Sequence, residues 1–425
     1  MQKICVLGLG YIGLPTASIL ATHGFNVIGV DVNPKVIQVL NNGGIHIEEP
    51  GLKTIVKAAI NSCNLKATLT PEPADIFIIA VPTPLTIEKF ANLDHIKAAA
   101  KSIVPLLTKG NLVILESTSP PGTTKNFLIP ILEESGLKAG EEFFIAYCPE
   151  RVLPGRILKE LIENSRIIGG INQESSESAK KIYSHFVEGK ITLTDSNTAE
   201  MVKLMENIYR DVNIALANEL AIICERMGIN AWEVIAQANL HPRVNLHLPG
   251  PGVGGHCLAL DPWFIVEKFP EEAKIISLSR QINEAMPYYV TKNVLKFLEQ
   301  IENAKITVFG VSYKANIDDT RESPALNILK QLEEKGVTFS VYDPHVKEFY
   351  YELSSLTEAL LDSDIILLLT DHEELKFLNP YEVGKLMRHR IVVDTRNCLD
   401  HKLWQKNGFT TYVLGKGNSN LEKCI

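Results

Sequence analysis

Cys257 has the clearest chemical capacity in the chain, because of the segment it closes. Pro249-Gly250-Pro251-Gly252-Val253-Gly254-Gly255-His256-Cys257 packs four glycines and two prolines into nine residues, which excludes regular secondary structure. Glycine at that density suits backbone lying close to a ligand. A thiol at the edge of such a loop, four residues before Asp261, is a candidate nucleophile. Without the loop, a lone cysteine reads as one more small buried residue. Upstream, Lys203, Asn207 and Arg210 fall at i, i+4 and i+7 of a helical run, so they share one face. Such a stripe is ordinarily solvated. If it lines a cleft instead, its lysine can exchange protons or stabilise an oxyanion.

A second cluster lies at the N-terminus. Lys3 to Leu7 reads as a short buried strand and is followed by Gly8-Leu9-Gly10-Tyr11-Ile12-Gly13, then by a helix-compatible run to His23. After Gly24, Asn26 to Val30 forms a second apolar strand that ends at Asp31. This strand–helix–strand context makes GxGxxG a dinucleotide fingerprint. Gly8 permits the tight turn, Gly10 lets backbone approach a pyrophosphate, and Gly13 lets the helix pack on the strand. The helix N-terminus, with Tyr11 and Ile12 leading into it, offers N–H groups to phosphates. Asp31, 18 residues after Gly13, can accept hydrogen bonds from ribose hydroxyls and repel a 2′-phosphate, which favours NAD over NADP. The competing role for Asp31 is a cap for the helix that starts at Pro34. Two further apolar strands end at Pro82-Thr83-Pro84 and at Glu116-Ser117-Thr118. Thr83 and Thr118 read equally as cofactor contacts or as turn hydroxyls.

The elements that must position these groups repeat. Lys305 to Gly310 is another apolar strand ending in glycine, with a helix from Pro324 to Glu334 and a strand from Val337 to Tyr342 that stops at Asp343. Ile365 to Leu369 and Ile391 to Val393 supply more buried strands. This half lacks GxGxxG, so the pattern assigns it a ligand other than a dinucleotide pyrophosphate. Lys314 and Arg321, between its first strand and its helix, suit phosphates; Lys416, in Gly415-Lys416-Gly417, is a weaker candidate. The acidic residues of Asp318 to Glu322 read as a solvated loop with a capping box. Between the halves, Thr198 to Met227 and a stretch within Glu271 to Glu302 are helical.

Composition narrows the function classes. The 425 residues are 45% hydrophobic and 22% charged, with a formal net charge of -8 and no basic block. That argues against nucleic acid as a partner. The seven cysteines, Cys5, Cys63, Cys148, Cys224, Cys257, Cys398 and Cys424, are scattered without CxxC spacing, which points to a reducing cytoplasm and no structural metal site. The N-terminus runs straight into a strand without a signal-peptide pattern, and no apolar run is long enough for a bilayer span.

Taken together, these motifs resemble the UDP-glucose/GDP-mannose dehydrogenase family of UDP-sugar 6-dehydrogenases. The resemblance covers essentially the whole chain and rests on Gly8 to Gly13, Ser117-Thr118, Pro149-Glu150-Arg151, Lys203 with Asn207, Gly254-Gly255-His256-Cys257 with Asp261, and Asp319 to Pro324. It implies an α/β fold of two Rossmann-like doubly wound domains joined by a long central helix, with a helical region that makes a homodimer or higher homo-oligomer. It implies the boundaries 1–196 for an NAD-binding domain, 197–300 for a central domain with the catalytic loop, and 301–425 for a UDP-sugar-binding domain. It also implies a four-electron oxidation with two NAD. By the same resemblance Cys257 is the nucleophile, Lys203 the proton donor or acceptor, and Asn207 a second oxyanion donor. Asp261 would orient water, Glu150 would assist hydrolysis, Tyr313 and Lys314 would hold the nucleotide sugar, and Arg321 would reach the cofactor.

The UDP-glucose pattern has serine before the cysteine and lysine before the aspartate, where this chain has His256 and Leu260. His241-Pro242-Arg243-Val244-Asn245, with Arg210-Asp211-Val212-Asn213 upstream, resembles the branch that acts on UDP-N-acetyl-D-mannosamine. By that likeness Arg151, Val152, Arg210, His241, Arg243 and Gly254 contact the sugar. Other UDP-hexoses are the alternative substrates. The rival classes are a two-electron 3-hydroxyacid dehydrogenase, which needs neither Cys257 nor a second Rossmann half, and a non-catalytic NAD sensor.

Overall fold

The computed structural model describes residues 2–47, 49–299 and 301–417; Cys424 lies outside them. The chain divides into two compact units, Met1–Glu206 with Trp263–Pro270, and Asn207–Pro262 with Glu271–Ile425.

The first unit holds eight strands: β1 Lys3–Leu7, β2 Asn26–Val30, β3 Leu65–Thr68, β4 Ile76–Ile79, β5 Leu112–Leu115, β6 Phe144–Tyr147, β7 Arg166–Gly170 and β8 Ile191–Asp195. Their order is β3-β2-β1-β4-β5-β6-β7-β8. All neighbours run parallel except β6 and β7, which are antiparallel. The central strands are apolar throughout because helices cover both faces. Ile4 and Val6 of β1 face one core with Leu14 and Leu20. Cys5 and Leu7 face the other with Ile96 and Ile103. That alternation is the period-two signature of a strand. Each fully buried Ile or Leu of this kind contributes about 1.5–3 kcal/mol.

The second unit carries β9 Lys305–Phe309, β10 Thr338–Tyr342, β11 Ile365–Leu368, β12 Ile391–Asp394 and β13 Thr410–Val413. Their order is β10-β9-β11-β12-β13, all parallel. Both sheets thus reverse strand order beside their first strand, at β1/β4 and at β9/β11, and ligand crevices open at such switch points. Ser196–Met227 is one helix of 32 residues. Lys274–Leu298 forms a second long helix with Pro287 inside it. Among the described residues, no helix is long and apolar enough to cross a membrane.

Candidate active site

In the first unit the glycine fingerprint has the expected strain and spacing. Gly8 sits at φ +92°, and a Cβ there would come within 2.7 Å of the Ala80 carbonyl oxygen. A Cβ on Gly13 would lie 1.9 Å from the Gly8 oxygen, so the helix Gly13–Thr22 can pack this close only on glycine. A Cβ on Gly10 would meet nothing within 4 Å; that open side is where a pyrophosphate needs room. No side chain caps the helix N-terminus, which begins after Tyr11 and Ile12. Asp31 accepts from Leu9 N at 3.1 Å and Asn33 N at 2.9 Å. The cap of the next helix is Asn33, which accepts from Lys35 N. Asp31 is thereby left to brace the fingerprint turn at the end of β2. Thr83 follows β4, and its hydroxyl is buried without a protein partner. Thr118 is half-buried, beside Ser117, whose hydroxyl donates to the Val81 oxygen at 2.7 Å. The residues present therefore fit a dinucleotide.

Glu150 leaves the carboxyl end of β6, and it is 7% exposed. It accepts from Arg151 N at 2.8 Å and from the Arg166 guanidinium. Its loop is pinned by Glu49, which accepts from Gly155 N at 2.8 Å and Ile157 N at 2.7 Å. The Arg151 guanidinium pairs with Glu206 at 2.6 Å, and Val152 packs on the core of this unit. Lys203 is buried on the long helix. Beneath Glu150, Glu116 is fully buried and accepts from the Tyr183 hydroxyl at 2.6 Å. Burial pushes its carboxyl up to about 7; the Arg166 charge opposes the shift and Glu150 adds to it.

In the second unit Asn207 donates to Asp261 and in turn accepts from the Arg210 guanidinium, so the long helix grips the carboxylate that opens the helix Asp261–Lys268. Cys257 stands one turn before it: its carbonyl accepts from Asp261 N at 2.8 Å and Leu260 N at 3.1 Å. Cys257 is half-buried. The loop before it is jammed in place. Cβ atoms on Gly254 and Gly255 would fall 2.6 Å from the Glu322 oxygen and 2.8 Å from the Tyr313 ring. Gly255 N donates to the Arg321 oxygen at 3.0 Å. Burial, then repulsion by Arg321, lowers the pKa of His256 against an opposing pull from Asp319, which disfavours the charged imidazolium next to Cys257 in sequence.

A buried polar chain holds both ends of this loop. Asn218 accepts from Gly250 N at 2.9 Å and donates to Asn283 at 2.9 Å. Asn283 donates to Asp211 at 2.8 Å. Asp211 also takes Arg280 at 2.6 Å, whose guanidinium is 3.5 Å from the Leu258 oxygen. Asn218, Arg280 and Asn283 were not singled out from the sequence, and Asp211 entered only as a member of the Arg210 to Asn213 stretch with no role of its own; buried asparagines on two helices carry no local signal.

Tyr313 and Lys314 follow β9. Tyr313 lines a small recess with Pro251, Ser323, Thr370 and Arg396. Arg396, missed in the sequence, pairs with Asp371 at 3.0 Å. It stands two residues past the end of β12, the same strand-end signal that singled out Lys314. Arg321 is held by Asp319 through bonds of 2.6 to 3.1 Å, and Ser323 caps the helix that starts at Pro324. Asp343, at the end of β10, is spent within the protein. It accepts from Val311 N, Ser312 N, His345 N and Val346 N and from His372 at 3.1 Å. Burial alone would raise its pKa, but these bonds, led by His372, bring it down to about 2. The counterpart of Asp31 thus has no oxygen to offer a ribose, in keeping with the missing fingerprint. His241 and Arg243 are exposed, on an excursion closed by Asn239, which bonds Leu246 at 2.7 and 3.0 Å. Lys416 is exposed in a turn that pairs with Asn230.

A GxGxxG crevice at a parallel-sheet switch point, with a second Rossmann-like unit carrying a cysteine loop, defines a nicotinamide-dependent dehydrogenase. The UDP-glucose/GDP-mannose dehydrogenase family models match in three parts, the NAD binding domain over residues 2–187, the central domain over 197–285 and the UDP binding domain over 307–401. The chain is 54% identical over 426 residues, covering 98% of each chain, to a UDP-N-acetyl-D-mannosamine dehydrogenase of Methanococcus maripaludis (strain C7 / ATCC BAA-1331). It is 48% identical to an NDP-N-acetyl-D-galactosaminuronic acid dehydrogenase of Ralstonia solanacearum, covering 94% of this chain and 97% of that one. The solved UDP-D-ManNAc dehydrogenase of Pyrococcus horikoshii superposes with a TM-score of 0.92 at 42% identity, over 98% of this chain and 99% of that one. The chain belongs to the UDP-glucose/GDP-mannose dehydrogenase family, and its class is that of an NAD-dependent UDP-sugar dehydrogenase.

Proposed function

We propose that the chain oxidises UDP-N-acetyl-D-mannosamine at C6 to UDP-N-acetyl-D-mannosaminuronate. The observation that carries the substrate is the full-length similarity to relatives named for it. The observation that carries the chemistry is Cys257, fixed by a braced glycine loop one turn before Asp261. Residues 1–196 hold NAD, 197–300 supply the catalytic loop and 301–425 bind the nucleotide.

Two NAD, held in succession by the fingerprint crevice of the first unit, would supply the hydride acceptors for the two oxidations at C6. Lys203, or water held by Asp261, takes the hydroxyl proton of the first oxidation. The Cys257 thiolate then adds to the aldehyde carbon, and the oxygen takes a proton to give a thiohemiacetal. Loss of the second hydride and of that proton leaves a thioester. Water adds to its carbonyl carbon with help from Glu150, the C–S bond breaks, and the thiolate returns to Cys257. The sum is one alcohol, two NAD and one water giving one carboxylate, two NADH and three protons. Lys203 and Asn207 stabilise the oxyanions, and a covalent intermediate keeps the aldehyde from escaping. Gly8, Gly10, Tyr11, Ile12, Gly13, Asp31, Thr83, Thr118 and Arg321 serve NAD. Arg151, Val152, Arg210, His241, Arg243, Gly254, Tyr313, Lys314 and Lys416 serve the UDP-sugar.

We also propose a homodimer in a reducing cytoplasm, where the thiol stays reduced. Its support is an apolar stripe on the long helix, with Tyr209, Leu216, Ile223 and Met227 exposed at 52%, 49%, 45% and 66%. The Ralstonia relative favours a second reading, in which the substrate is a UDP-N-acetylgalactosamine-type sugar.

The test is NADH yield per UDP-sugar across a panel of UDP-hexoses, with intact-protein mass spectrometry during turnover. Two NADH per UDP-N-acetyl-D-mannosamine, with no free aldehyde, is expected. Cys257→Ser should accumulate a covalent sugar adduct or stop turning over while still binding NAD. Near-normal uronic acid from Cys257→Ala would remove the thioester route.

A further inference from the structure

We propose that Arg166 is the positioning residue for Glu150, delivered to it by the strand β7, whose pairing with β6 is the antiparallel one among the described strands of the first sheet. The proposal rests on the reading above in which Glu150 assists thioester hydrolysis.

Chain direction places the pair. Glu150 emerges from the carboxyl end of β6. A parallel neighbour would start at the opposite end of the sheet, so its first residue could not reach Glu150. β7 runs the other way: Ala146 pairs with Gly170 and Tyr147 with Gly169. Continuing that register sets position 166, the first residue of β7, opposite position 150. The reversal therefore carries a guanidinium to the end of the sheet where the loop bearing Glu150 begins.

The surroundings then fix what that guanidinium does. Arg166 is 4% exposed and lies 4.3 Å over the Tyr183 ring. Its Nη2 bonds Glu150 Oε2, while its Nη1 stays 3.7 Å from Glu116 and 3.5 Å from the Cys148 sulphur. Two carboxyls share one cation, and the cation engages Glu150 directly. Glu116 is held away by the Tyr183 hydroxyl, and its Oε2 is buried with no hydrogen-bond partner. A charge on that oxygen would be costly, and burial accordingly raises its pKa to about 7. Glu150 has Oε1 on Arg151 N and Oε2 on Arg166, so its carboxylate plane is locked from both sides. Each oxygen keeps a second lone pair, and those lone pairs can orient water and accept its proton. Lysine would keep the charge but not the planar fork that sets the angle.

The experiment compares wild type, Arg166→Lys, Glu150→Gln and the double variant, with NADH followed before and during steady state and intact mass read in parallel. In Arg166→Lys the first two hydrides should still appear as a burst. Steady-state turnover should then fall about tenfold or more, with a thioester-sized adduct on the protein and KM values within about threefold of wild type. Because Arg166 acts through Glu150, the double variant should be no slower than Glu150→Gln alone. Wild-type rates in Arg166→Lys, loss of the burst, or fully additive effects would each overturn the proposal. Glu150→Asp covers the case in which Arg166→Lys does not fold. It keeps the acid but shortens it by one methylene, and it should accumulate the same adduct; normal hydrolysis there also overturns the proposal. The underlying reading fails differently, either through a wild type that makes no NADH from the sugar or through a Glu150→Gln variant that turns over normally.

Discussion

Asn218→Ala should loosen the cysteine loop from a distance. The Asn218 side chain is fully buried and closes a gap between two helices and the loop: it accepts from Gly250 N and donates to Asn283, both at 2.9 Å. Alanine removes both bonds at once. It leaves a buried backbone N–H and a buried amide oxygen unpaired, and each such group costs about 1–3 kcal/mol. The loss of stability should therefore be about 2–6 kcal/mol, a large share of a typical domain's roughly 5–15 kcal/mol. Opening of residues 249–258 should also become easier. At about 2 kcal/mol, the open population rises about thirtyfold. Urea denaturation reads the first quantity, and hydrogen exchange of the peptide containing Gly250 and Gly255 reads the second. Turnover should drop, because Cys257 hangs from this loop, while NAD binding in the other unit should hold. A stability change under about 0.5 kcal/mol, with unchanged exchange in that peptide, would refute the bracing argument.

Asp31→Asn should narrow the preference for NAD over NADP by about tenfold, which corresponds to about 1.4 kcal/mol of lost charge repulsion, as measured by the two cofactors' kcat/KM values. A wild type that used both cofactors equally would count against Asp31 as the discriminator. Glu116 should give the fold a distinctive pH dependence. Its folded pKa, about 7, lies above the ordinary 4.5, so its contribution is complete below about 4.5 and is lost as pH rises through about 7. The difference in unfolding free energy between wild type and Glu116→Gln should fall across that window, and a flat difference would show that Glu116 is not protonated in the native state.

Much of this was legible in the sequence because it is local. The GxGxxG turn, the strand before it and Asp31 after it lie within 31 residues, and steric necessity ties each glycine to its place. The second sheet was legible for the same reason, as apolar strands punctuated by glycine. Strand ends came out within a residue or two, since the boundary between a strand and its turn carries little energy. The cysteine loop announced itself through composition alone. Arg166 did not, because nothing in Arg166-Ile167-Ile168-Gly169-Gly170 says which way the strand runs. Asn218 and Asn283 were equally silent, and the bracing role of Asp211 was too: their meaning lies in contacts between residues 65 and 72 positions apart in sequence.

The residues proposed to do the chemistry and the residues that hold them thus differ in kind. Cys257, Asp261 and Lys203 are exposed to inference because reactive groups stand out at unusual spacings, whereas Glu150 entered only through the family resemblance. Their supports are ordinary polar side chains buried between elements, where a lost partner costs more than a made bond gains. The Asp343 case shows the same rule from the other side. Both sheets end their second strand in aspartate, at Asp31 and Asp343. Only the hydrogen bonds decide their roles: Asp31 takes two backbone N–H groups and remains accessible at the fingerprint turn, while Asp343 takes four and a histidine and is 7% exposed. One aspartate is left able to read a ribose, and the other has become part of the scaffold that carries Tyr313 and Lys314.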